Sequence, residues 1–137
     1  AAITDFKDLT SDKVKKIALG EPDSVPAGKY GQEILTKLGI WDQVKDKTAY
    51  AKDVRQVLNY VETESAEAGI VYRTDALVSD KVRVVASAPS GSHTPVVYPL
   101  AIIKSSKNIT AAKEFSDFLA GDKAKAVFEK YGFVVAQ

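Results

Sequence analysis

The chain has 137 residues, 45% hydrophobic and 27% charged, the composition of one soluble domain with a real core. Its 19 basic and 18 acidic residues are mixed along the chain and leave a net charge of +1, no electrostatic footprint for nucleic acid or an anionic membrane. There is no cysteine, which excludes disulfides, thiolate metal sites and a cysteine nucleophile, and no apolar stretch approaches the ~20 residues of a membrane-spanning helix.

The opening AAITDF has neither methionine nor leader, as expected of a processed chain or a piece of a longer one. KVKK (13–16), the densest basic cluster, reads as a solvated loop. KIALG (16–20) reads as a short apolar strand ending in glycine. From Pro26, the residues Tyr30, Ile34, Leu35 and Leu38 form one helical face, and Gly39 fits the stop. TAYA (48–51) is a weak strand, followed by a helix with Val54, Val57, Leu58 and Val61 on one side. AGIVY (68–72) and VRVVASA (82–88) read as further strands, and SAPSGSH (87–93) as a loop. PVVYPLAII (95–103) is a longer extended run in which Pro99 argues for an edge or crossing segment. Two amphipathic helices close the chain, one with Phe115, Phe118 and Leu119, the other with Ala124, Val127, Phe128 and Tyr131 before Gly132.

Strands separated by helices predict an α/β fold: a parallel-type sheet with flanking helices in three layers. Ligands of such sheets sit beyond the carboxyl ends of the strands, so the strand-to-helix turns are the places to search.

Three turns qualify. In GEPDSVPAGKY (20–30), Pro26 fits the first helical position and leaves Ala27 and Gly28 as the next N–H donors, with side chains too small to obstruct a ligand. A bare helix start is an anion site in waiting, and equally an ordinary helix start that binds only water. In YAKDVRQVL (50–58), Asp53 is a natural N-cap that accepts from Arg55 or Gln56, leaving the Val54 N–H unclaimed. Its carboxylate would repel an anion unless it turned away. In AGIVYRTD (68–75), the Tyr72 hydroxyl can reach the same crevice, or Tyr72 is a core tyrosine with an incidental hydrogen bond. Arg73 and Asp75 read as a surface pair. Catalytic arrangements are thin. His93 sits in a Gly/Ser loop without a carboxylate partner, Ser90 and Ser92 lack a nucleophile elbow, and no dinucleotide fingerprint or P-loop occurs.

GEPDSVPAGKYGQEILTKLGIWD, AKDVRQVLNYVE, AGIVYRTDAL, YPLAII and FLAGDKAKAVFEKYGFVV together resemble the molybdate-binding proteins of ABC importers, in the family's order over residues 16 to 137. The resemblance implies one lobe of a type II periplasmic-binding-protein fold, in which two α/β lobes clamp a tetrahedral oxyanion. It implies ligand donors at the Ala27 N–H, the Val54 N–H and the Tyr72 hydroxyl, supported by Pro26, Gly28 and Asp53. The ligand, molybdate or tungstate, would be held as an oxyanion without direct metal ligands and without a cofactor. Residues 1–97 would be the second lobe. Residues 98–137 would be a crossing strand and C-terminal helices that pack towards a first lobe lying upstream, which carries the family's serine donors. The implied partners are that lobe and the membrane subunits of an ABC permease, with no nucleic acid, in a periplasmic or extracellular setting with or without a lipid anchor. The implied activity is binding, not catalysis. Competing readings are a solute-binding protein for another oxyanion such as sulfate, the sensor domain of a transcription regulator, and a small enzyme using His93 or Ser92.

Overall fold

Ile17, Ala18, Leu19 and Gly20 form the strand on which the fold is built. In the computed structural model, which describes residues 3–135, this strand, β1 (Ile17–Gly20), is buried along its whole length. A central parallel strand must be apolar on both sides because helices cover both faces. On one edge β2 (Thr48–Ala51) pairs in parallel with Gly20 opposite Ala51; on the other, β3 (Ala68–Gly69) pairs in parallel with Ile17 opposite Ala68. The order is β2-β1-β3.

Successive β1 side chains point to opposite faces. Ile17 joins Leu9, Val14, Leu35, Ile40 and Val44 in one core cluster, whereas Ala18 joins Ala51, Val57 and Ala66 in another. Helix α1 (Pro26–Lys37) therefore covers one face and α3 (Val54–Glu62) the other, with the short α2 (Trp41–Val44) beside α1. This is the expected three-layer α/β arrangement. Ile17, Leu19 and Leu35 are fully buried, and side chains of this size contribute about 1.5–3 kcal/mol each when removed from water.

Helix α1 begins and ends as its sequence predicts. Gly39 takes a left-handed φ of 71° and closes α1, with Ile40 N–H donating to Leu35 O at 3.0 Å. The buried face of α1 centres on Ala27, Gly28, Gly31, Ile34 and Leu35, while the expected Tyr30 and Leu38 are only half-buried. Small residues on that face let the helix lie close to the sheet. KVKK is a loop with exposed lysines, but Val14 within it is 2% exposed and belongs to the core. A 3-10 turn at Phe6–Thr10 brings Leu9 into the same cluster.

The strand expectations need correction. AGIVY forms a ladder only at Ala68 and Gly69, with one further bond from Ile70 N–H to Ala18 O at 3.1 Å. VRVVASA forms no strand, and Val84 and Val85 are exposed. PVVYPLAII has no regular element either. β-branched residues favour an extended backbone, but a ladder also needs a partner strand in register, which these segments do not meet.

Glu67, at the entry to β3, accepts from the N–H groups of Lys16 and Lys15 at 2.7 and 3.1 Å. Those bonds, that of Lys16 first, hold its carboxyl below the ordinary glutamate range. A carboxyl lowered in the folded state stabilises it above the unfolded pKa, and that contribution is lost as pH falls through the folded value. Glu67→Gln is therefore expected to flatten the acid limb of a stability–pH curve and leave its neutral-to-alkaline shape unchanged, as measured by urea melts across the pH range.

The chain divides into two compact units, Ala1–Pro95 and Val96–Gln137. Within the second, α5 (Ile109–Leu119) and α6 (Asp122–Lys130) pack together, and Phe133 stacks edge-on against Phe128 and Tyr98 at 6.1 and 6.0 Å. The apolar face expected on α5 remains open, with Phe115 and Phe118 60% and 56% exposed.

Candidate functional site

The chain runs from β1 through α1 to β2 on one side, then back through α3 to β3 on the other. That reversal puts the two helices on opposite faces and makes the carboxyl edge around β1 the topological switch point, where α/β sheets place their ligands. All three turns singled out from sequence leave this edge. The first two are joined directly: the Glu21 N–H donates to Ala51 O at 2.9 Å, continuing the β1–β2 ladder one residue beyond Gly20.

Helix α1 starts without a side-chain cap. Val25 occupies the N-cap position in extended conformation, where a Ser, Thr or Asp would normally claim an N–H. Pro26 has no N–H to satisfy. Gly28 and Lys29 both donate to Val25 O, at 2.9 and 3.1 Å. The expectation that Gly28 is a free donor is thus corrected: the tight first turn consumes its N–H. Ala27 alone is left, and its N–H meets no acceptor among the described residues although Ala27 is 4% exposed. A buried N–H without an acceptor costs free energy comparable to a lost hydrogen bond, so this position invites one. The role of Gly28 is steric: a Cβ there would overlap the backbone carbonyl of Gly20.

Helix α3 is capped as expected. Asp53 accepts from the Gln56 N–H at 2.8 Å, and the Gln56 side chain accepts in return from the Lys52 N–H at 2.9 Å. One carboxylate oxygen of Asp53 is thereby committed to its own helix. The Val57 N–H reaches Asp53 O at 3.3 Å, which leaves the N–H groups of Val54 and Arg55 without an acceptor among the described residues. The second of these was not anticipated from sequence, though it follows once Gln56 is the capped position. Val54 is half-buried.

Tyr72 lies three residues beyond β3, extended at φ −70° and ψ 147°, half-buried, and caps the short α4 (Arg73–Ala76) through its carbonyl. The expected Arg73–Asp75 surface pair does not form. Arg73 is exposed, the one ion pair among the described residues joins Lys45 to Asp42, and Asp75 has a buried carboxylate oxygen without a hydrogen-bond donor.

The residues of the enzyme reading are occupied with structure. Ser92 is buried and its hydroxyl donates to Pro89 O at 2.6 Å; His93 Nδ1 donates to Thr94 O at 2.7 Å. Among the described residues no group of three His, Asp or Glu could hold a metal ion, and no helix is long and apolar enough to cross a membrane. The donors at the carboxyl edge are neutral.

Comparison with known proteins agrees with this architecture. The profile of the bacterial extracellular solute-binding protein family matches residues 1–134, and the chain belongs to that family. It is 58% identical over 131 residues to the Bacillus subtilis protein YvgL, named as an ABC transporter substrate-binding lipoprotein, covering 96% of this chain and 50% of that one. It is 50% identical over 117 residues to the molybdate-binding protein ModA of Haemophilus influenzae, covering 85% of this chain and 46% of that one. A solved substrate-binding domain from Clostridium difficile, assigned to a molybdenum ABC transporter, superposes with a TM-score of 0.88 at 46% identity, over 99% of this chain and 59% of that chain. The chain thus spans about half the length of the curated relatives it matches.

Proposed function

We propose that this chain supplies half of the oxyanion site of a molybdate- or tungstate-binding protein serving an ABC importer. One observation supports the reading: Ala27 and Val54, on turns tied together at Glu21 and Ala51, each keep an N–H that meets no acceptor among the described residues. Tyr72, three residues beyond β3 at the same sheet edge, supplies a hydroxyl as the third donor. Pro26 fixes the helix entry, Gly28 lets it approach β1, and Asp53 sets the start of α3 while its carboxylate serves the Gln56 N–H. The names of relatives that bind molybdate support the choice of ligand.

The chemistry is recognition by neutral donors. A fully deprotonated dianion brings acceptors only, so N–H and O–H groups match it without a counter-charge. Each helix N-terminus adds roughly 0.3–1 kcal/mol near the surface and more when enclosed. A donor set of this kind also suits sulfate, so anion size decides between them. The remaining donors belong to a first lobe outside this chain, and the apolar faces left open in the second unit suit packing towards it. The assembled protein would work in the periplasm or outside the cell, free or lipid-anchored, and deliver its ligand to permease subunits. It would bind and release without catalysing a reaction.

Calorimetric titration tests this directly. The full-length protein is expected to bind molybdate tightly, and this chain alone at least ~100-fold more weakly, since removing two or three charge-assisted hydrogen bonds of about 1.5–3 kcal/mol each exceeds that loss. Tight binding by the isolated chain would sink the half-site reading.

A further inference from the structure

After α4 the chain travels through residues 82–89 with neither helix nor strand, and it returns to α1 at Ser92, His93 and Thr94, immediately before the boundary between the two units at Pro95 and Val96. The return is made by one side chain. Glu33, on the outer side of α1, accepts the Thr94 N–H on Oε2 at 2.6 Å and the Thr94 hydroxyl on Oε1 at 3.2 Å. His93 adds a tilted ring contact with Tyr30 at 5.9 Å between centroids. Three residues of the strap are braced internally as well, by the Ser92 hydroxyl on Pro89 O and His93 Nδ1 on Thr94 O. Beside these contacts lies an open groove of about 680 Å³, lined by Lys29, Gln32, Thr36 and Lys37 with Gly91 opposite. Glu33 makes the side-chain hydrogen bonds that join the strap to α1, and charge-assisted bonds of this kind are the stronger ones.

We propose that Glu33 is a positioning residue whose carboxylate latches the 92–94 strap onto α1, so that the helix bearing Ala27 and the exit of the first unit move as one body. Flexing between the units then begins at Pro95 and not back at residue 82. The latch acts whatever ligand occupies the strand-to-helix turns.

Hydrogen exchange and trypsin cleavage on the whole 137-residue chain test this. In Glu33→Ala the Thr94 amide is expected to exchange roughly tenfold faster or more, the scale of one charge-assisted hydrogen bond. Cleavage after Arg83 is expected to speed up in parallel, while the Leu19 amide in β1 keeps its wild-type rate. Glu33→Gln, which keeps the size and one carbonyl acceptor, is expected to fall between the two and reads out the same amides if the alanine variant does not fold. A Thr94 amide that exchanges at the wild-type rate in the variants would overturn the latch. So would an acceleration shared equally by Thr94 and Leu19, because Glu33 would then stabilise the unit as a whole without positioning the strap.

Discussion

Gly28→Ala is expected to be the most damaging single-methyl change in the first unit. A Cβ at this position falls on the carbonyl carbon and oxygen of Gly20, which are backbone atoms of the central strand's last residue. Neither partner can rotate away, so α1 must lift from the sheet. Overpacking of a well-filled site costs typically 1–3 kcal/mol, and a clash with backbone belongs at or above the top of that range. A loss of about 3 kcal/mol lowers the melting temperature by on the order of 10 °C in a domain of this size. Gly31→Ala provides the control on the same helix, because its Cβ meets side-chain atoms only, crowding the end of Leu19 and touching Ile70 at ordinary contact distance. It is expected to cost clearly less. Melting curves in which the two variants are equally stable would show that the close approach of α1 to Gly20 is not what demands glycine. Lifting α1 also displaces the Ala27 N–H, so Gly28→Ala is expected to weaken ligand binding in the full-length protein in addition.

Tyr72→Phe removes one hydroxyl three residues beyond β3. If that hydroxyl donates to the oxyanion, its loss costs about 1.5–3 kcal/mol, a hydrogen bond to a charged group. The molybdate affinity of the full-length protein is then expected to fall roughly 10- to 150-fold with the fold intact. Calorimetry on the variant checks this, and undiminished affinity would remove Tyr72 from the site.

The fold was legible where local pattern and tertiary context agree. KIALG is apolar on both faces and becomes the central strand; Val57 and Leu58 mark the buried side of α3; Gly39 marks the end of α1. Asp53 could be read as a cap because its side chain acts on residues three positions away. Less legible was everything set by partners distant in sequence. Residues 70–72 and 82–88 have strand composition, but composition fixes only an extended backbone and cannot supply the neighbouring strand. Val14 lies between lysines and still enters the core, because the Lys47 ammonium reaches Ser11 O and Val14 O at 3.0 Å and holds that loop against the fold.

The candidate site divides the same way. Pro26 and the small residues after it announced an uncovered helix start, and the family resemblance singled out Ala27, Val54 and Tyr72. That the Gly28 N–H is spent on Val25 O, and that Gly28 matters for its missing side chain, depends on how closely the helix meets Gly20. The bond from Glu21 to Ala51, which joins the first two turns, was equally invisible from local sequence.

In the proposed function, neutral backbone donors at Ala27 and Val54 receive the anion. Titration of the isotopically labelled chain with sodium molybdate, followed by amide nuclear magnetic resonance, tests it most directly, because weak binding suffices. Saturable shifts of the Ala27 and Val54 amides are expected, with amides inside α1 such as that of Leu35 nearly still. Fixed Ala27 and Val54 resonances while other amides shift on saturation would contradict it.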